Sequence, residues 1–279
     1  MKIDSHQHYW NPDCCDYYWM GPKLPAVLHR EYKPADLAPS LKKHGIDKTV
    51  LVQATDNVAE TDFLLDLAHQ EPTVAGVVGW LDVDSLSFPQ QFERYCRNPK
   101  FIGIRPMLQD RPDDDSILRP QVIESLKLIA ERDFPFDILV YARQLPYVLK
   151  MLDRVPKLRA VVDHIAKPVI REKKINPWKA AMKKVASHPN VHCKLSGMVT
   201  EADLKAWTAD DLRPYVEHVV EVFGLDRVMF GSDWPVCLLA GSYDQVVDAL
   251  KKILTPRLDA KTEQAVFGGN AARFYKIGT

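Results

Sequence analysis

Short runs rich in apolar and β-branched residues alternate along this chain with longer stretches whose apolar positions recur every third or fourth residue. The first pattern marks strands and the second marks amphipathic helices. The runs predict eight strands, over residues 2–6, 48–53, 74–80, 101–105, 136–141, 158–164, 191–196 and 227–232. Most are continuously apolar rather than alternating, as expected of strands covered on both faces in a parallel sheet. The helical stretches fall between them, over residues 34–45, 59–70, 88–96, 119–133, 143–155, 176–188, 209–224 and 242–254. A further helical tail is predicted over 262–272. Pro34 in a first turn, and Gly45 and Gly224 at far ends, supply start and stop signals.

Strand and helix thus alternate eight times, without a flexible linker or a low-complexity tract. Eight β/α units in about 250 residues are what a (β/α)₈ barrel needs. A doubly wound sheet would require a Gly-rich phosphate loop after an early strand, and the first strand here ends in Ser-His-Gln-His. The prediction is an α/β fold, a single (β/α)₈ TIM barrel domain over residues 1–279.

Composition narrows function mainly by exclusion. Lys and Arg number 37 against 37 Asp and Glu, so the formal net charge is zero. Bulk nucleic-acid binding, which depends on cations neutralising phosphates, is therefore not expected. No run approaches the roughly eighteen apolar residues of a membrane span, and the polar start MKIDSHQHYW has no leader-like apolar core. The five cysteines (14, 15, 96, 193 and 237) are odd in number, scattered and without a C-x-x-C pair. Reduced thiols in a cytoplasmic protein are the expectation.

In a barrel, chemistry sits at the C-terminal ends of the strands. Those ends hold His6 and His8, Gln53, Trp80, Arg105, Tyr141, Asp163 with His164, Lys194, and then Asp233. So polar a set is unexpected at the ends of apolar runs, and its convergence predicts a site. The His6-x-His8 spacing puts both imidazoles on one face of a strand, a pleat apart, which suits a divalent cation such as Zn²⁺. A bare pair of this kind is more often two hydrogen-bonded surface histidines; its place at the end of the first strand favours the site. Asp233 follows the eighth strand, which lies beside the first in a closed barrel. There it could ligand a metal, orient a water or take its proton, although Ser-Asp-Trp-Pro also reads as a plain turn. His164 could be a third ligand, could polarise a carbonyl, or could be a satisfied core histidine. Arg105 and Lys194 each end an apolar run and need either an acid partner or a ligand. The Tyr/Trp cluster at 9, 10, 17, 18 and 19, Trp10 foremost, could stack on a sugar ring or line a long first loop. The segment 268–275 reads as an Asn-capped, structural terminal helix.

DSHQHYW, VLVQA, GIRP, VVDHIAKP, NVHCKLSGMVTEAD, RVMFGSDWPVC and GGNAARFY together resemble the metal-dependent amidohydrolase superfamily, in its amidohydrolase-2 branch. Within that branch the likeness is strongest to the sugar lactonases. The resemblance spans essentially the whole chain and implies a distorted (β/α)₈ barrel that hydrolyses esters or amides at its strand ends. Carried over by motif, His6, His8, His164 and Asp233 form the core and metal set, with Asp233 as acid/base and His164 beside it. Many superfamily members bridge two metals with a Lys or Glu after the fourth strand and use a His after the fifth. Arg105 and Tyr141 occupy those places here, so one divalent ion, zinc, is the expectation rather than two, and even that ion could be dispensable. Arg105, Lys194, Gln53, Trp10 and Tyr141 are assigned to the substrate. The expected activity is opening of an aldonolactone in carbohydrate metabolism, with a small-molecule substrate and neither nucleic acid nor membrane as partner. A homo-oligomer is left open. The alternatives are a decarboxylase or dicarboxylate-lactone hydrolase of the same superfamily, and a ligand-binding barrel without activity.

Overall fold

A computed structural model describes residues 1–278. Eight parallel strands follow one another in a single sheet: β1 (Ile3–Gln7), β2 (Lys48–Val52), β3 (Val74–Gly79), β4 (Phe101–Ile104), β5 (Phe136–Ile138), β6 (Ala160–Val162), β7 (Val191–Leu195) and β8 (Val228–Phe230). The sheet closes between its first and last strands just beyond β8. His8 N–H donates to Trp234 O at 2.7 Å and Asp233 N–H donates to His6 O at 2.8 Å. The seam of the barrel therefore runs through three of the expected site residues.

Helices α1 (Pro34–His44), α2 (Val58–Gln70), α3 (Phe88–Tyr95), α4 (Pro120–Glu131), α5 (Leu145–Arg154), α6 (Trp178–Ala186), α7 (Ala209–Phe223) and α8 (Tyr243–Leu254) connect the strands. Local chemistry sets their ends. Gly45 adopts φ 64° where α1 stops, and the Asn57 side chain accepts Ala59 N–H to start α2. No helix among the described residues is long and apolar enough to cross a membrane.

Strand residues divide between two cores. Leu51 and Val77 point outward into the large layer beneath the helices, whereas Val50, Val52, Val78, Val161 and Met229 form a smaller cluster with Ile3. Ala271, Phe274 and Tyr275 complete that inner cluster. They belong to the terminal helix α10 (Asn270–Tyr275), which plugs the barrel from below. Two local expectations change here. The helical tail expected over 262–272 is broken into α9 (Ala260–Gln264), a wide turn at Ala265–Gly269, and α10. Gly268 sits so close to the start of the chain that a Cβ would lie 2.3 Å from Met1 O, which an unbroken helix could not accommodate. Asn270 is no helix cap, because its side-chain amide donates to Leu225 O and Val228 O at 2.8 and 2.6 Å.

Strands β5, β6 and β8 end two or three residues before the predicted bounds. The backbone beyond each of them is irregular, and it carries Tyr141, His164 and Asp233.

Candidate active site

His6, in β1, stands between two polar groups of different character. Its Nε2 lies 3.8 Å from Asp233 Oδ1, and its ring is 4.9 Å from that of His8 and 4.4 Å from that of His164. Its Nδ1 faces the other way, 3.1 Å from Lys194 Nζ and 3.5 Å from Asp163 Oδ1. Gly231 allows this approach, since a Cβ there would come within 2.7 Å of the His6 Cβ. Burial, followed by the charges of Lys194 and Arg105, holds the His6 imidazole well below its usual range, so it is neutral at pH 7.

The upper group is His8, His164 and Asp233. Asp233 has a left-handed backbone (φ 57°), which turns its side chain into the barrel mouth. Its Oδ1 lies 3.3 Å from His8 Nε2 and 3.8 Å from His164 Nε2. Burial works against its ionised form, but its electrostatic surroundings, the Lys167 ammonium among them, outweigh that and hold its carboxyl below the ordinary value. Burial keeps His8 and His164 neutral as well.

His8 reveals what this group lacks. Its Nδ1 lies 2.8 Å from the Val52 carbonyl, which can only accept, so Nδ1 carries the proton. Nε2 then presents a lone pair to the Asp233 oxygen, itself an acceptor. Two acceptors 3.3 Å apart call for a cation or a donor between them. Ligand atoms of His6, His8 and Asp233 all lie within 4.8 Å of one another, and two imidazoles with one carboxylate are a zinc-type donor set. The residues thus fit a divalent ion. A second set, His6, Asp163 and His164, also meets that spacing, but cations already occupy its surroundings. Asp163 Oδ1 is 3.0 Å from Lys194 Nζ and its Oδ2 is 3.3 Å from Arg105 Nη1.

His164 owes its position to unusual backbone. His164, Ile165, Ala166 and Lys167 have φ values of 52°, 48°, 58° and 45°, one complete left-handed turn without a glycine. Such backbone costs roughly 1–2 kcal/mol per residue, so packing must impose it. Ile165 and Ala166 are fully buried, and the Trp178 indole N–H donates to Ile165 O at 2.7 Å. Gly197 makes room: a Cβ there would lie 2.4 Å from His164 Nδ1. His164 Nδ1 is also 2.9 Å from the Ser196 hydroxyl.

These side chains open on a cavity of about 220 Å³, whose wall includes His8, Trp19, Arg105, Tyr141, His164, Lys167 and Asp233. That is below the roughly 300–1,000 Å³ of drug-sized ligand clefts, so the site suits a small substrate. Of the residues expected at the substrate, Arg105 and Tyr141 reach this wall and three do not. Lys194 is fully buried below His6, with Asp137 Oδ2 at 2.5 Å as well as Asp163. Its acid partners come from β5 and the end of β6, remote in sequence but adjacent in the barrel. Gln53 is buried behind the wall, where its amide donates to Arg105 O at 2.7 Å while the Arg105 guanidinium donates to Gln53 O. Trp10 packs among Tyr17, Trp19 and Tyr32, with its N–H on Arg30 O at 2.8 Å. Trp19 takes the cavity position instead, fixed by an N–H···O bond of 2.6 Å to Ala54.

The amidohydrolase family matches residues 3–277. The chain is 43% identical over 282 residues to an L-fucono-1,5-lactonase of Burkholderia ambifaria, covering 99% of this chain and 96% of that one. It is 39% identical over 293 residues to an L-fucono-1,5-lactonase of Burkholderia multivorans, with the same coverage. A crystal structure of an amidohydrolase from B. multivorans with bound zinc superposes with a TM-score of 0.94 at 37% identity, covering 99% of each chain.

Proposed function

The chain belongs to the amidohydrolase family, and on that premise we propose that it is a lactonase that opens a monosaccharide 1,5-lactone to its aldonic acid. The observation that carries the reading is its full-length similarity to two L-fucono-1,5-lactonases. The chemistry of the cavity supports it: an ionised carboxylate among neutral imidazoles, in a space of sugar-ring size.

Asp233 accepts a proton from water, and the water oxygen bonds to the lactone carbonyl carbon. The C=O electrons move onto oxygen, where His164 and Arg105 face the new charge. When the intermediate collapses, the ring C–O bond breaks and Asp233 returns its proton to the departing ring oxygen. The product acid then ionises, releasing one proton per ring opened. Trp19 and Tyr141 hold the sugar ring, Gln53 sets Arg105, and Lys194 holds His6 from below. His6, His8 and Asp233, with His164 nearby, are the residues that would hold one zinc ion; such an ion, when bound, supplies Lewis-acid polarisation of the carbonyl.

A panel of sugar lactones in weakly buffered indicator solution tests the activity. Acid release on an aldono-1,5-lactone is expected. CO₂ release from a hydroxybenzoate with no lactone opened, or turnover of neither, would overturn the reading. Zinc binding is checked separately by calorimetry on stripped protein, with one equivalent expected for the wild type and at least tenfold weaker binding for His8→Ala.

A further inference from the structure

Two cations reach the cavity wall, and they differ in what neutralises them. Arg105 is held by Asp163 and by the Gln53 carbonyl. Lys167 forms no ion pair within 4 Å among the described residues; it feels the charges of Glu201 and Asp233 at longer range, and its Nζ lies 5.3 Å from the centroid of the Tyr141 ring. An ammonium on a cavity wall that no carboxylate touches directly has donors left to meet an anion.

The left-handed turn explains how it came there. Lys167 N–H donates to His164 O at 2.9 Å, closing a turn of about three residues in which positions i and i+3 fall on one side. Lys167 is thereby set beside His164, and both side chains line the cavity. Backbone of this kind is held by its surroundings and concentrates at functional sites. Here the buried Ile165 and Ala166, the Trp178 bond and the space left by Gly197 impose it.

We propose that Lys167 is a substrate-binding residue whose ammonium faces the lactone carbonyl oxygen as that oxygen gains charge, and afterwards one oxygen of the product carboxylate. The proposal rests on the lactonase reading. Lys167 takes no part in the proton transfers: the water proton goes to Asp233 and from there to the ring oxygen. Because the lactone is neutral and both the tetrahedral oxyanion and the carboxylate are charged, the contact is worth more after attack than before it. Removing it should therefore lower kcat more than it raises KM.

Lys167→Met and Lys167→Arg test this, with L-fucono-1,5-lactone as substrate and the aldonate from its alkaline opening as binding probe. Met meets the same backbone demand as Lys, so the melting temperature should hold. For Lys167→Met, kcat should fall about 30-fold or more with KM within about 3-fold, and the calorimetric Kd for the aldonate should rise about tenfold or more. Lys167→Arg should recover part of the aldonate affinity. Equal aldonate binding by wild type and Lys167→Met overturns the proposal, as does a fall in melting temperature that accounts for the lost activity. If the wild type opens no lactone, the functional reading fails; a tenfold gap in aldonate binding would then still uphold the carboxylate site, and no binding by the wild type would overturn both.

Discussion

Two buried polar clusters meet at His6, and they have opposite chemistry. Below it, Lys194, Asp137, Asp163 and Tyr275 are closed on one another: Lys194 has two carboxylates within 3.0 Å, and the Tyr275 hydroxyl donates to Asp137 at 2.8 Å. Above it, the basic groups that come within 4 Å of Asp233 among the described residues are imidazole nitrogens at 3.3–3.8 Å, all but one beyond hydrogen-bond reach. Both clusters are almost wholly buried. The difference lies in charge compensation. An ion cluster whose charges compensate one another fixes geometry, whereas a carboxylate facing neutral imidazoles has capacity for water, a proton or a metal. Position at a strand end therefore does not by itself make a residue a substrate group, and Lys194 and Asp233 show the two outcomes.

Exchanging single atoms in each cluster should break them differently. Asp233→Asn keeps size but cannot accept the proton, so kcat should fall by about 10²–10⁴-fold while the melting temperature stays close to wild type. A variant with near-normal turnover would place the base elsewhere. Lys194→Met should do the reverse. It strands buried carboxylates, a loss of about 3–5 kcal/mol, read by calorimetry as a fall of roughly 6–20 °C in a chain of this size. Unchanged stability with lost lactone affinity would return Lys194 to the substrate. Trp19→Ala removes a cavity wall without touching either cluster, so KM should rise roughly 5–10-fold with a smaller change in kcat.

The smallest effect concerns a third sealed acid, Asp4, at the seam of the barrel. Burial, against hydrogen bonds from Ser232 and His6 N–H and the Tyr243 hydroxyl, raises its pKa to about 6. A carboxyl with a raised folded-state value binds its proton more tightly folded than unfolded. Its contribution is thus full below about pH 4 and is lost as pH rises through about 6. In Asp4→Asn the Tyr243 hydroxyl can turn from donor to acceptor, so the fold should survive. The decline in melting temperature between about pH 4 and 6 should then become shallower by a few degrees. An unchanged slope would assign that decline to other groups.

Much of this barrel is legible in the sequence, because eight apolar runs separated by amphipathic stretches permit few architectures. His6, His8, His164 and Asp233 are legible for a related reason: polar residues at the ends of buried strands need an explanation. For Lys194 a sign was present but passed over, since Asp137 interrupts the apolar run 136–141 and a buried acid there demands a cation. Which acid meets which cation depended on barrel closure, which sequence spacing does not encode. Lys167 gave no signal, because nothing in His-Ile-Ala-Lys announces a left-handed turn; only surrounding packing imposes it. Trp10 and Trp19 share a composition-level cue for aromatic stacking, and the course of the first loop decides which one reaches the cavity. The paired Gly268 and Gly269, by contrast, were a readable sign that the last helix would break.

Following the oxygen of water tests the central claim most directly. With enzyme in excess over L-fucono-1,5-lactone in H₂¹⁸O, a single turnover is quenched, and both the aldonate and the peptide containing Asp233 are weighed by mass spectrometry. If Asp233 acts as a base on water, the first turnover places one ¹⁸O in the aldonate carboxylate and none in the Asp233 peptide. Unlabelled aldonate with ¹⁸O in the Asp233 carboxyl would contradict the account, because it would make that carboxylate the nucleophile.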